Sequence, residues 1–374
     1  MMPALSRADT SVLGRWWWTV DRWTLFAIAA LIGFGYIMML AASPAVAQRI
    51  GEARDAFILK QVFFLAVAGL IVIAVSLLSP RGVRRVALAG GLLALLLTAL
   101  TLVIGVQIKG ATRWISLPGF AVQPSEFLKP CFAVVAAWLI AEDKRGTLPH
   151  GTLIAAAIYG AIALLLQAQP DIGMLAVVTG VFALQLFIGG LNLLIFGGLL
   201  GMIGVAAVGA FLMFPHVQSR VDRFLHPAIG DHYQITRALE AFGAGGLLGR
   251  GPGEGHIKDV LPDAHADFVF AIAGEEFGMV VCLLIIGIFA YIVLRGLLRL
   301  LSENEMYIVL GASGLLASFG LQAFVNMAST LHLIPTKGMT LPFISYGGSS
   351  AMAIAFGMGL LLALTRRRGP GELL

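Results

Sequence analysis

The sequence is poor in charged residues and has almost no cysteine. Asp, Glu, Lys and Arg together make up 12% of its 374 residues, against about 25% in a typical soluble domain. The two cysteines, Cys131 and Cys282, lie in separate apolar runs, so neither a disulfide framework nor a cysteine-based metal site is indicated. Because 59% of the chain is hydrophobic, the composition excludes an ordinary soluble enzyme and indicates a protein that crosses a membrane several times.

Apolar runs of about 20 residues can cross the hydrocarbon core of a bilayer as helices. Ten such runs can be recognised, at 24–45, 61–79, 86–106, 125–141, 152–169, 171–189, 191–214, 268–296, 306–333 and 346–365. No stretch between them is clearly longer than the ~50 residues that a small soluble domain needs. The sequence therefore predicts an all-α, polytopic membrane protein of ten transmembrane helices, forming a single membrane domain over residues 1–374.

One polar stretch, residues 215–267, separates the seventh run from the eighth. It is rich in glycine and proline, and a loop of this length is usually functional or disordered. Within it, "HYQITRALEAFGAGG" places Ile235, Leu239 and Phe242 at helical spacing. We expect a long extracytoplasmic loop that contains an amphipathic helix.

Lys and Arg are enriched in the cytoplasmic loops of membrane proteins. With a cytoplasmic amino terminus, the inner segments carry 13 of these residues and the short outer loops carry 7. Five more in 215–267 bring the two totals close together, so the triplet "RRR" at 366–368 is the clearest cue. It predicts cytoplasmic tails at 1–23 and 366–374 and a periplasmic 215–267 loop.

Polar residues near the predicted spans collect on the predicted outer side. They include Lys109, Arg113, Gln123, Glu126, Lys129, Gln169, Asp171, Arg220, Arg223, Tyr233, Gln234, His265, Asp267, Lys337, Ser345, Tyr346, Ser349 and Ser350. Polar groups at this depth usually face the protein interior or a water-filled cavity. A basic cleft with a few acids suits a substrate with an anionic head and a lipid tail, because Arg and Lys bind phosphate and carboxylates can transfer protons.

Several of these residues also have a purely structural interpretation. Lys129 and Arg113 are placed to extend their charged ends toward water from the end of a span. Asp267 directly precedes the apolar "FVFAIAG", where a carboxylate can cap a helix or act as a general base. His265 is more consistent with packing in the loop than with metal binding, since no second His or Cys lies at ligand spacing.

Two further motifs are interpreted as structural. "GGLLGRGPGEG" imitates a nucleotide-binding loop but lacks the strand–loop–helix setting, so we predict a tight turn whose glycines adopt positive φ. Glu275 and Glu276 follow "FAIAG" inside an apolar run. A buried hydrogen-bonded pair that orients the span is favoured over a proton path.

Four motifs, in order along the chain, resemble those of one known family. "QPSEFLK", "QPDIG", "LPDAHADFVFAIAGEEFG" and "PTKGMTLPFISYGGSS" are similar to the motifs of the SEDS family of bacterial cell-wall polymerases, whose best-known branches are RodA and FtsW. Thr336-Lys337-Gly338 is more similar to the division branch, FtsW. The resemblance extends from about Lys109 to Ser350.

The resemblance implies a peptidoglycan glycosyltransferase that polymerises lipid II at the outer face of the bacterial inner membrane, at the division site. Asp267 is its implied general base, for an inverting transfer that releases undecaprenyl pyrophosphate. The implied partners are a class B penicillin-binding transpeptidase and other divisome membrane proteins, with no nucleic acid. No cofactor is implied; a divalent cation at the pyrophosphate is possible, but the sequence shows no ligand set. The candidate substrate-binding residues are Lys109, Arg113, Glu126, Lys129, Asp171, Gln234, His265, Lys337, Ser345 and Ser349.

The chain departs from the family pattern at three positions. Lys109 replaces a usual Asn, Asp263 replaces a usual Glu, and Ala266 replaces a Thr or Ser next to the implied base. Two other functions fit the same chain: a lipid II flippase, and a non-catalytic scaffold for the transpeptidase. A flippase needs polar groups that continue to the inner face, whereas the runs 171–189 and 191–214 are almost purely apolar.

Overall fold

The protein is described here from a computed structural model, which defines residues 11–51, 56–108, 111–117, 120–213, 215–225, 233–335 and 338–367. Most of these residues are helical. The helices are α1 (Val12–Thr19), α2 (Arg22–Ile50), α3 (Ala56–Ser76), α4 (Pro80–Ile104), α5 (Pro124–Arg145), α6 (Gly151–Ala168), α7 (Ile172–Ile188), α8 (Leu193–Met213), α9 (Pro215–Leu225), α10 (Tyr233–Gly245), α11 (Ile257–Val260), α12 (Val269–Leu300), α13 (Met306–Thr330) and α14 (Gly348–Leu364). Three short strands, β1 (Val106–Ile108), β2 (Ala111–Leu117) and β3 (Phe120–Val122), follow α4.

Each of the ten predicted apolar runs coincides with a helix, α2 to α8 or α12 to α14. Among the described residues, seven helices are long and apolar enough to cross a membrane, namely α2, α3, α4, α5, α6, α12 and α13. Two further apolar helices, α7 and α14, have 17 residues each. The predicted helical, polytopic membrane protein is therefore confirmed, while the count of ten transmembrane helices remains a prediction.

The three strands correct the expectation of a purely helical chain. They form an antiparallel sheet in the order β1-β2-β3, with Ile115 opposite Val122. The segment is rich in β-branched and aromatic residues, which favour strands, and Gly105 ends α4 just before it. Strands of three to seven residues are too short to be detected by a search for long apolar runs.

Helices α5 and α13 form the centre of the bundle. Both are largely buried, and α5 packs against α4, α6, α7, α13 and α14. Small residues such as Ala133, Ala137 and Gly314 line this interface, as expected where helices approach closely in a membrane. From α7, the buried Gln185 donates hydrogen bonds to the carbonyl oxygens of Ala133 (2.6 Å) and Leu310 (3.0 Å), so one amide joins three helices.

The stretch 215–267 contains three helices, and the predicted amphipathic segment forms α10. Its buried face differs from the predicted one. Ala238, Ala241 and Gly245 are buried, whereas Leu239 is 43% exposed. Small residues turn toward α12 because they allow the two backbones to approach closely, and Phe242 packs beside them on Phe270, with ring centroids 5.6 Å apart.

Helix α12 is interrupted at Gly278, which has φ 79° and ψ −179°. The preceding glycine turn, residues 246–253, fills the gap in the helix. Met279 N donates to Gly246 O (2.9 Å) and Gly251 N donates to Glu276 O (2.9 Å), so the turn supplies partners that the broken helix lacks. The predicted positive φ values are confirmed at Gly246, Gly249, Gly251 and Gly253.

Candidate active site

Asp267 lies at the entrance to α12, half-buried and one residue outside the N-cap position, which Phe268 occupies. Asp267 is therefore not the N-cap residue of α12, as one interpretation of the sequence had it. Its carboxylate lies close to the segment that leads into α14, because a Cβ added to Gly338 would be 3.3 Å from Asp267 Oδ2. Glycine at 338 leaves room for this approach.

Three consecutive backbone carbonyls, those of residues 265 to 267, are fixed by groups from distant parts of the chain. We call this arrangement the carbonyl clamp. It consists of Tyr346 N to His265 O (2.8 Å), Ser345 Oγ to Ala266 O (2.6 Å) and Asn326 Nδ2 to Asp267 O (3.0 Å). Because α13 and the residues before α14 each contribute donors, the position of the Asp267 backbone is set by the packing of three elements.

Asn326 is completely buried on α13, and its Nδ2 also donates to Met339 O at 2.6 Å. It thereby connects Asp267 with the neighbour of Gly338. One turn earlier on the same face, Gln322 donates to Thr340 O at 3.1 Å. Asn326 and Gln322 thus fix two consecutive residues of the segment that follows Gly338.

A buried ion pair continues from Gln322 into α5. Lys129 Nζ donates to Gln322 Oε1 (2.6 Å) and lies 2.7 Å from Glu126 Oε2. The Lys129 side chain is 4% exposed, so the interpretation that it extends to water from a span end is wrong. A cavity of about 20 Å³ beside Glu126, Lys129 and Gln322 is large enough for one water molecule.

A second ion pair joins the sheet to α7. Arg113 of β2 lies 3.1 Å from Asp171 Oδ2, and Asp171 Oδ1 accepts from Met174 N (3.2 Å), which caps α7. Gln123 donates to the same carboxylate through Nε2 (3.3 Å), and its backbone N donates to Ser349 Oγ (2.9 Å). Arg113 and Lys129 are therefore each paired with a carboxylate and are not free cations.

Of the remaining candidates, the structure describes His265 and Gln234. His265 packs between the rings of Phe57 and Tyr346, at centroid distances of 5.2 and 5.0 Å, as expected for a packing residue. Gln234 is exposed at the start of α10. Lys109 and Lys337, and the side chains of Arg220 and Arg223, lie outside the described residues.

Glu275 and Glu276 are buried and structural. Glu275 Oε1 accepts from His256 N at 2.8 Å, and Glu276 Oε1 pairs with Lys258 Nζ at 2.7 Å. The predicted hydrogen bonds are therefore made to the loop that precedes Asp267 and not between the two glutamates. A structural role is thus favoured over a proton path.

Sequence reasoning missed Gln322, Asn326 and Thr340. A signal was present, because Gln322 and Asn326 are polar residues four apart in the apolar run 306–333, and polar groups inside a membrane usually have a specific partner. Within the described ranges, no group of three or more His, Cys, Asp or Glu residues could hold a metal ion. The described site can hold the backbone of a carboxylate residue in a defined position.

Comparisons with known proteins give a consistent result. A family model described as "Cell cycle protein" (FTSW_RODA_SPOVE) matches residues 22–369. A "Probable peptidoglycan glycosyltransferase FtsW" of Caulobacter vibrioides is 44% identical over 372 residues, covering 98% of this chain and 94% of that protein. A protein of the same name from Escherichia coli O157:H7 is 34% identical over 355 residues, covering 91% of this chain and 84% of its own.

Two solved structures are similar to the fold. One belongs to a study of "Structural coordination of polymerization and crosslinking by a peptidoglycan synthase complex", with a TM-score of 0.77 and 25% identity, covering 92% of this chain and 97% of that one. The other is the Thermus thermophilus rod shape determining protein RodA, with a TM-score of 0.67 and 25% identity, covering 93% and 97% of the two chains.

Proposed function

The chain belongs to the FTSW_RODA_SPOVE family of cell cycle proteins, and from that membership we propose that it is a peptidoglycan glycosyltransferase acting in cell division. Its relatives carry that activity in their names. The substrate we propose is lipid II, whose sugar head and lipid tail fit a polar site at the end of an apolar bundle.

The chemistry we propose is an inverting transfer with Asp267 as general base. The Asp267 carboxylate takes the proton of the acceptor sugar's 4-hydroxyl, and that oxygen forms a bond with the anomeric carbon of the donor. The bond from this carbon to the pyrophosphate oxygen breaks, and undecaprenyl pyrophosphate leaves with the electron pair. Asp267 then returns its proton to solvent.

The observation that supports this role most strongly is the carbonyl clamp. General base catalysis needs a carboxylate oxygen within about 2.6–3.2 Å of the hydroxyl oxygen whose proton it removes, and a misplacement of 1 Å can cost about 10²-fold in rate. Hydrogen bonds to the carbonyls of residues 265 to 267 restrict the backbone that carries Asp267. This restriction supports the proposal that Asp267 is a base held in a defined position.

The cations that we propose for the leaving pyrophosphate are fewer than the basic residues that the sequence offers. Because Arg113 and Lys129 are paired with Asp171 and Glu126, we assign them to the shape of the site. Charge stabilisation of the pyrophosphate then falls to Lys109 and Lys337, and to a divalent cation carried by the substrate if one takes part. We propose no resident cofactor.

The location and partner follow from the same relatives. We propose that the chain lies in the bacterial inner membrane with Asp267 on the periplasmic side, at the division site. A class B penicillin-binding transpeptidase is the proposed partner, since one similar structure is described as a complex for polymerization and crosslinking.

Lipid II polymerisation by purified protein tests the proposal. We expect Asp267→Asn to slow polymerisation by about 10²–10⁴-fold, the range that general bases contribute, measured as glycan product on a gel. Asp259→Asn makes the same chemical change at an exposed position of the same segment and should polymerise normally. Equal activity of the two variants would contradict the assignment of Asp267.

A further inference from the structure

An arginine-lined cavity of about 380 Å³ lies at the end of the bundle away from Asp267. Helix α12 begins beside Asp267 and is broken at Gly278, and the cavity adjoins the end of its longer part, 279–300, which is roughly 30 Å long at 1.5 Å per residue. We refer to it as the arginine cavity. It is lined by Arg295, Arg299, Leu300, Ser302, Glu303, Ile308, Thr365, Arg366 and Arg367.

Two of its arginines share one carboxylate, that of Asp21. Arg295 Nε and Arg299 Nη1 each lie 2.9 Å from Asp21 Oδ2, and Arg299 Nη2 also donates to Thr365 O at 3.0 Å. Burial alone would raise the pKa of Asp21, but hydrogen bonds from Arg295 and the charge of Arg299 lower it to about 2. Asp21 is therefore an anion at neutral pH, and it ties the start of α2 to the end of α12.

The other two arginines lie at the carboxyl-terminal end of the described chain. Arg366 and Arg367 follow α14, where backbone N of Arg367 donates to Thr19 O at 2.9 Å and fixes the segment. Among the described residues, neither side chain has an ion-pair partner. The described part of the cavity thus has four guanidinium groups and two carboxylates, those of Asp21 and Glu303, so positive charge is in excess there.

Next to the cavity, α12 presents a stripe of exposed apolar side chains. Leu294, Leu298 and Leu301 are 59%, 66% and 83% exposed and recur at helical spacing. Arg295 and Arg299 each directly follow the first two of them in sequence. An anionic group in the cavity could therefore be attached to acyl chains that lie along this stripe.

We propose that the arginine cavity binds the phosphate group of an anionic phospholipid in the leaflet away from Asp267. Guanidinium groups match the geometry of phosphate oxygens, and basic pockets between membrane helices are suited to lipid head groups. The site is separate from the transferase site, and the proposal does not depend on the function assigned to Asp267.

Native mass spectrometry of the purified full-length chain tests the proposal. The probes are phosphatidylglycerol and phosphatidylcholine with identical acyl chains, at equal concentration. We expect retention of phosphatidylglycerol over phosphatidylcholine, and a loss of about fivefold in its affinity for each arginine removed in Arg366→Gln/Arg367→Gln.

The matched control is Arg81→Gln/Arg85→Gln, which removes the same charge from exposed positions at the start of α4 that do not line the cavity. It should retain phosphatidylglycerol within about twofold of the parent chain, because these side chains lie outside the cavity. Equal losses in the two double variants, or no preference for phosphatidylglycerol in the parent chain, would overturn the proposal.

Inorganic phosphate identifies the source of the bound group. Millimolar phosphate that leaves phosphatidylglycerol bound supports a lipid ligand. If phosphate displaces the lipid, and does so only when Arg366 and Arg367 are present, the same site takes a soluble phosphate. Size-exclusion profiles identical to that of the parent chain show that the variants are folded.

Discussion

At the scale of single residues, the site depends on polar side chains that never need to touch a substrate. Asn326 donates to the carbonyls of Asp267 and Met339, and Lys129 donates to Gln322 while paired with Glu126. In an apolar bundle an unsatisfied polar group costs free energy, so each of these contacts stabilises the site only because its partner is present. The backbone that carries the proposed base, Asp267, is thus held by a side-chain amide for which we propose no chemical role.

Asn326→Ala tests this dependence. The substitution removes both hydrogen bonds and leaves the carbonyl of Asp267 without its donor, so the carboxylate can shift. We expect kcat for lipid II polymerisation to fall by about 10–10²-fold, with KM changed much less. Steady-state kinetics with purified protein measures the two constants separately.

A matched control is Asn304→Ala, which deletes the same amide at an exposed position beyond α12 and should leave both constants unchanged. A rise in KM with unchanged kcat for Asn326→Ala would instead indicate direct substrate binding by Asn326.

At the scale of elements, the interruption of α12 determines where its first part can lie. Gly278 divides the helix, and the glycine turn 246–253 completes the hydrogen bonding at the break. Glu275 and Glu276 fix the loop 253–258 from the same short helical piece. The residues that lead to Asp267 are thus attached to the helix that follows it.

Gly278→Ala tests the importance of the break. At φ 79° an alanine is strained, and its Cβ would overlap the backbone of Leu247 and Gly249. We expect the variant to lose at least about 1–3 kcal/mol of stability, measured as a lower thermal unfolding midpoint in detergent. Gly287→Ala, where an added Cβ meets no atom within 4 Å, should unfold like the parent chain.

Some elements of the fold could be predicted from the sequence and others could not. Helices such as α4 and α6 follow from long apolar runs, because burial in lipid needs only composition and length. The break at Gly278 could not be predicted, since it depends on a turn some thirty residues earlier in the sequence that fills it. The face of α10 that is buried could not be predicted either, because small residues pack against α12 in place of the larger apolar residues at helical spacing.

The same limit applies to the candidate site. The motif around Asp267 could be identified from residue order alone, and Glu126 lies three residues before Lys129 on α5, a spacing at which helical side chains meet. The partner of Arg113 could not be predicted, because its contact with Asp171 depends on how β2 packs beside the start of α7. Whether Lys109 and Lys337 supply the missing charge stays a prediction.

At the scale of the whole molecule, the two ends of the bundle have different electrostatic characters. The Asp267 end contains ion pairs that are internally balanced among the described residues, and the opposite end has an excess of arginine around Asp21. The Asp21 contacts join the start of α2 to α12 across 274 residues of sequence. This junction stabilises the bundle at the end away from Asp267.

The pH dependence of stability tests the junction. Since the pKa of Asp21 is lowered from 3.8 to about 2 in the folded state, its contribution is fully present above about pH 4 and is lost as pH falls through about 2. The difference in thermal midpoint between the parent chain and Asp21→Asn should be constant from neutral pH down to about pH 5 and shrink below pH 4. A difference that shrinks near pH 6 would contradict this account.

The central claim, that Asp267 removes the acceptor's proton, is tested most directly by a structure with a lipid-linked acceptor sugar bound. The account predicts an Asp267 carboxylate oxygen within about 2.6–3.2 Å of the acceptor's 4-hydroxyl, with the carbonyl clamp intact. An acceptor whose 4-hydroxyl faces a different carboxylate, or that binds at the opposite end of the bundle, would contradict it.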